Sequence, residues 1–123
     1  MPTVQVTGLN VVSIYVSDLE IAEAFYRDHL GFQRCEEMPP GILMKTHHVT
    51  IYLEPNRGKR TTSPHSEAEV GPCFACDSVK AASEALLVAG QTLVMNYQEF
   101  SPHFAMFQIQ DPDGNLIEFA GKP

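Results

Sequence analysis

The stretch best equipped for chemistry is Asp111-Pro112-Asp113-Gly114-Asn115-Leu116-Ile117-Glu118-Phe119, near the C-terminus. Pro112 presets φ for a turn, Asp111 can bond back to the turn's own amides, and Gly114 accepts positive φ. The strand that follows alternates, placing Ile117 and Phe119 on one face and Glu118 on the other. A carboxylate in that position is either solvent-exposed or lines a pocket, where it can serve as a general base.

Five histidines and three cysteines are the other candidates. His29 lies in a predicted last helical turn, where a cation suits the helix dipole. His47 and His48 are adjacent, so on a strand they face opposite ways. His65 falls in a polar stretch, and His103 follows Pro102 at a strand start. Cys73 and Cys76 form a C-x-x-C, but within an apolar strand residues three apart point to opposite faces. That geometry disfavours a shared disulfide or metal, and together with Cys35 they read as free thiols, the C-x-x-C pair as small buried hydrophobes.

The elements that must position these groups follow from periodicity and punctuation. Leu9–Val16 is rich in β-branched residues and predicts a strand. Ser17-Asp18 supplies a cap for a helix over Leu19–Leu30, with Leu19, Ala22, Phe25, Tyr26 and Leu30 on its buried face and Gly31 as its stop. Strands follow at Phe32–Glu36, Ile42–Thr46 and His48–Glu54, the first two separated by Met38-Pro39-Pro40-Gly41. Residues 55–70 read as a polar linker with a basic cluster at Arg57, Lys59 and Arg60. A second strand, Pro72–Cys76, leads through Asp77 or Ser78 to a helix over Val79–Ala89, with Val79, Ala82, Leu86 and Leu87 as candidate inward residues. Gly90 ends that helix, and strands follow at Thr92–Tyr97, Phe104–Gln110 and Leu116–Ala120. Asp18 stands 13 positions before Gly31, as Asp77 does before Gly90, so the halves repeat at a spacing of 59. The expected architecture is α+β: one domain of two β-α-β-β-β modules, at about 8–54 and 71–121, sharing a curled mixed sheet.

Composition narrows the function. The chain has 123 residues, 44% of them hydrophobic and 19% charged, which fits a single globular domain with a real core. A net charge of −7 with only eight Lys and Arg argues against nucleic acid or an anionic membrane as partner. No apolar run approaches the roughly 20 residues of a membrane helix, and Met1–Gln5 lacks signal-peptide character, so a cytoplasmic protein is expected.

The paired modules, the VSDLEIAEAFYRDHLGF segment and the DPDGNLIEF ending together resemble the vicinal oxygen chelate superfamily of glyoxalases, bleomycin-resistance proteins and extradiol dioxygenases. The resemblance runs from about Leu9 to Phe119. It implies that the sheets curl into a cup around a small-molecule site, often within a homodimer. In metal-dependent members four ligands line that cup, and their positions fall here at Val11, Tyr52, Gly71 and Glu118. Only Glu118 offers a suitable donor. A two-residue shift would bring in Glu54 on the same face, and His48 is the nearest substitute imidazole. A transition-metal site usually needs about three protein ligands, so no cofactor is expected. If a divalent metal does bind, Glu118, Glu54 and His48 are its expected ligands.

Alternation from Tyr52 then puts His48, Thr50 and Glu54 on the cup face, and places Ser13 and Tyr15 there from the first strand. For Phe104–Gln110 either parity is open; the more polar set containing Met106 and Gln108 suits the cup better. Ser13, Tyr15, Thr50, Tyr52, Met106 and Gln108 are thus the expected ligand-binding residues, with Glu118 and His48 as candidate catalytic groups. Two functions compete: a metal-independent binder of a small organic molecule, or a divergent metal-dependent lyase, isomerase or dioxygenase using Glu118 with His48 or Glu54. A dimerising scaffold without a ligand is the third reading.

Overall fold

The computed structural model describes residues 5, 7–55 and 71–123. Among the described residues, ten elements follow one another: β1 (Val12–Val16), α1 (Leu19–Leu30), β2 (Gln33–Met38), β3 (Gly41–Lys45), β4 (Thr50–Pro55), β5 (Cys73–Phe74), α2 (Val79–Val88), β6 (Leu93–Ser101), β7 (Phe104–Gln110) and β8 (Leu116–Gly121). They form two separate four-stranded sheets with the same strand order, β1-β4-β3-β2 and β5-β8-β7-β6. In each the first strand pairs parallel with the fourth and the rest are antiparallel. The duplication read from sequence is therefore a duplication of topology. The α+β class holds, and the strands of the two modules form two four-stranded mixed sheets.

Local chemistry explains most boundaries. Asp18 caps α1 by accepting from the Ile21 amide, and Gly31 closes it at φ 77°, where a side chain would be strained. In the second module Ser78, not Asp77, is the cap, accepting from the Ala81 amide. Val79, Ser83 and Leu86 are the buried positions of α2, whereas Leu87 is exposed. Ser83 can turn inward because its hydroxyl donates to the Lys80 carbonyl and so is not left unpaired. Of the linker expected at 55–70, Pro55 ends β4, and the rest, with Arg57, Lys59, Arg60 and His65, lies outside the described residues.

The helix-facing side of both sheets forms one apolar core. Ile14, Val16, Ile42, Met44, Ile51 and Leu53 meet Ala22, Phe25 and Tyr26 in the first module. Phe74, Ala105, Phe107, Ile109, Ile117 and Phe119 meet Val79 and Leu86 in the second. Aromatic rings carry the core across the boundary: Phe32 lies 5.7 Å from Phe74, and Phe74 lies 5.9 Å from Phe119. Among the described residues, no helix is long and apolar enough to cross a membrane.

The Asp111–Asn115 turn fastens the modules together. Asp111 is buried and accepts from the Tyr26 hydroxyl of α1 at 2.8 Å, as well as from the amides of Asp113 and Asn115 and the Asn115 side chain. Asp113 accepts from the Ser17 amide, and Asn115 donates to the Tyr15 carbonyl. Three side chains of one turn thus reach the β1–α1 segment.

Candidate functional site

Burial on one face of each sheet fixes the other as the face available to a ligand. In β1 the buried Ile14 and Val16 leave Ser13 and Tyr15 on the open side. In β4 the buried Ile51 and Leu53 leave Thr50, Tyr52 and Glu54 half-buried opposite them. The parity left open for β7 is settled the same way: Ala105, Phe107 and Ile109 are core, and Met106 and Gln108 face outward.

Glu118 lies at the centre of the second sheet's open face. It is half-buried, pairs in register with Gln108 on β7 and with Cys73 on β5, and its Oε2 accepts from the Gln108 side-chain amide at 2.7 Å. Cys73 is exposed and not the buried hydrophobe expected; partial desolvation still pushes its thiol up, and the neighbouring Glu118 charge adds to the effect. Leu116, two residues earlier on the same face, lines a cleft of about 310 Å³ at the junction of the sheets. Ser13, Tyr15, Gly71 and Asn115 line it too, as do the core-side Ile14, Tyr26 and Ile117; Glu118 stands outside the cleft, two residues along β8 from its Leu116 wall.

The remaining candidates sit elsewhere. β4 begins at Thr50, so His48 is not on a strand; it is exposed in the tight β3–β4 turn. There the Thr46 hydroxyl accepts from the His48 and Val49 amides, closing the turn before alternation can aim His48. His48 borders grooves formed with Lys45 and His47, and with Phe32 and Phe74; neither includes Glu118. Tyr52 shares the open face, but its hydroxyl is occupied: it accepts from the Gly41 amide and donates to the Met38 carbonyl, clasping the β2–β3 hairpin.

The four positions at which the resemblance places metal ligands do not fit a metal. Val11 has no donor, and the Tyr52 hydroxyl is held by the hairpin. A Cβ on Gly71 would stand 2.7 Å from the Leu116 carbonyl oxygen, so this backbone has no room for a ligating side chain there. Among the described residues, no three His, Cys, Asp or Glu side chains converge. Glu118 remains a lone carboxylate beside a neutral amide.

Sequence reasoning missed Asn115 as a wall of the junction cleft and Tyr26 as the partner of Asp111. A tyrosine on an otherwise apolar helix face was the available signal, because a buried hydroxyl must find an acceptor.

A family model described as Glyoxalase/Bleomycin resistance protein/Dioxygenase superfamily matches residues 8–119. Comparison with curated proteins finds no match. Among solved structures, this chain is similar to the genomically encoded fosfomycin resistance protein FosX from Listeria monocytogenes, with a TM-score of 0.77 and 15% identity over 97% of this chain and 95% of that one. A putative glyoxalase family protein from Bacillus anthracis superposes with a TM-score of 0.76 and 21% identity, over 97% and 98% of the two chains. Lactoylglutathione lyase from Agrobacterium tumefaciens gives 0.71 and 22%, over 94% and 93%. At these identities the likeness is one of fold.

Proposed function

Because the chain belongs to the glyoxalase/bleomycin resistance protein/dioxygenase superfamily, we propose that it binds a small organic molecule on its open strand faces without the metal of metal-dependent members. The observation that carries this reading is the placement of Glu118. A half-buried carboxylate, oriented by Gln108, shares a strand face with Leu116 at the wall of the junction cleft. Its volume of about 310 Å³ falls at the lower end of the range for small-molecule sites. Its lining mixes apolar Val12, Leu116 and Ile117 with the polar tips of Ser13, Tyr15 and Asn115, a composition that can bury a ligand body and fix its orientation.

The reading includes a homodimer. Tyr15 and Met38 of the first module and Phe100 and Phe104 of the second are exposed. A second copy laid over the open faces would cover such residues and enclose the site.

Metal analysis after purification without added metal, followed by ligand titration of the same sample, tests the proposal. Stoichiometric Zn, Ni, Fe or Mn would overturn it in favour of a divergent lyase, isomerase or dioxygenase. Ligand affinity unchanged by a chelator and weakened by Glu118→Gln is the expected result. Sedimentation at micromolar concentration, expected to give twice the chain mass, tests the dimer.

A further inference from the structure

The electrostatics around Glu118 specify the class of ligand. Strands β5, β6, β7 and β8 contain no Lys, Arg or His at any position. Among the described residues the ion pairs are Arg27–Asp28 and Arg34–Glu23, both in the first module, and Glu118 takes part in neither. Among the described residues, the one side chain that hydrogen-bonds Glu118 is Gln108, a neutral amide that donates to Oε2 and not to Oε1. A half-buried carboxylate is costly to hold without a counter-charge, and this sheet supplies none.

The surroundings of the carboxylate are apolar. Met106 and Ala120 pair across β7 and β8 next to the Gln108–Glu118 pair, and Leu116 lies one pleat away, about 7 Å along the strand. Beyond Leu116 the cleft is walled by Tyr15. A carboxylate at one end and an apolar, partly aromatic surface at the other match a molecule with a cationic head and an apolar body. An anion would meet repulsion from Glu118 and from a chain of net charge −7.

The geometry points to an organic cation, an amine or amidine on an apolar or aromatic body, as the ligand, with its charged N–H groups donating to Glu118. This rests on the reading that the open face binds a small molecule. Gln108 acts as a positioning residue: it holds one carboxylate oxygen so that the other is presented to the ligand. A charge-assisted hydrogen bond at such a site favours the cation over a neutral molecule of the same shape by about tenfold or more.

Benzamidine, benzamide and benzoate form a test set of one shape and three charges. Each is titrated at pH 7 into the full chain, with amide chemical shifts of Leu116, Glu118 and Met106 as the readout. Benzamidinium is expected to bind at least about tenfold more tightly than benzamide, with benzoate weakest. Glu118→Gln should erase the gap by weakening benzamidinium binding at least about tenfold. Gln108→Lys should erase it as well, by supplying an internal cation and keeping the carboxylate. Equal binding of the three probes at these residues would overturn the cation assignment and leave the small-molecule reading standing. No shift at these residues with any probe at millimolar concentration would overturn both. If Glu118→Gln instead dissociates a dimer and leaves benzamidinium binding intact, the carboxylate belongs to a contact between copies and the assignment falls.

Discussion

Tyr26 on α1 and Asp111 in the β7–β8 turn are 85 positions apart in the chain, and their side chains meet at 2.8 Å in the buried core. This hydrogen bond joins the two repeats. Tyr26→Phe removes the donor but leaves a buried carboxylate with one acceptor site unfilled, so it should cost about 1–3 kcal/mol. Urea unfolding, followed at the same pH for both proteins, checks the value.

Two carboxyls should give opposite pH slopes. Burial holds Asp111 above its ordinary 3.8, even though hydrogen bonds from Asn115, Tyr26 and the backbone act the other way. The folded chain therefore keeps this proton more tightly than the unfolded one. Its contribution to stability is complete below pH 3.8 and is lost as pH rises through the raised folded value. Glu23 is lowered from 4.5 by the hydrogen bond from Arg34, so its contribution is present above that pH and lost as pH falls. Against Asp111→Asn, the wild type should lose relative stability as pH rises from 3.8. Against Glu23→Gln it should lose relative stability as pH falls below 4.5, by less than about 1 kcal/mol because Arg34 is exposed. Unfolding free energies at several pH values between 3 and 7 separate the two.

Gly41 is fixed by close approach. A Cβ there would fall inside contact distance of the Leu53 carbonyl and 2.7 Å from Cζ of Tyr52. Gly41→Ala should cost about 1–3 kcal/mol, the usual penalty for overpacking. Tyr52→Phe should cost about 1 kcal/mol through the lost hairpin clasp. Faster exchange of the Gly41 amide would report both.

Cys73 reports on its neighbour. The Glu118 charge adds to the burial that raises the thiol pKa. Glu118→Gln should therefore speed alkylation of Cys73 at pH 8. Mass spectrometry can resolve it from Cys35 and Cys76.

How much of this could be read in advance depended on whether the cause was local. Leu19–Leu30 and Phe104–Gln110 were legible to the residue, because a cap, a 3-4 apolar spacing and an alternating strand are written in adjacent residues. β6 runs to Ser101, four residues beyond the expected Tyr97. Its exposed Gln98-Glu99-Phe100 carries no alternation of its own, and pairing with β7 through several bulges sets its length. Expecting His48 on a strand failed for a related reason: one hydroxyl, Thr46, closes a turn that strand propensity does not register. At the site, the placement of Glu118 followed from alternation, whereas its Gln108 partner required the β7–β8 register. The Tyr52 hydroxyl looked like a pocket group until the hairpin claimed it.

The Asp111–Asn115 turn has no working counterpart before β4, where Thr46–Val49 closes on itself through backbone and hydroxyl bonds. The two repeats are thus unequal in what they need. Cut out alone, the second would expose Phe74 and strand Asp111 without its phenol. The gene records a doubling, but heat or denaturant should melt the molecule in a single cooperative step, as one folding unit.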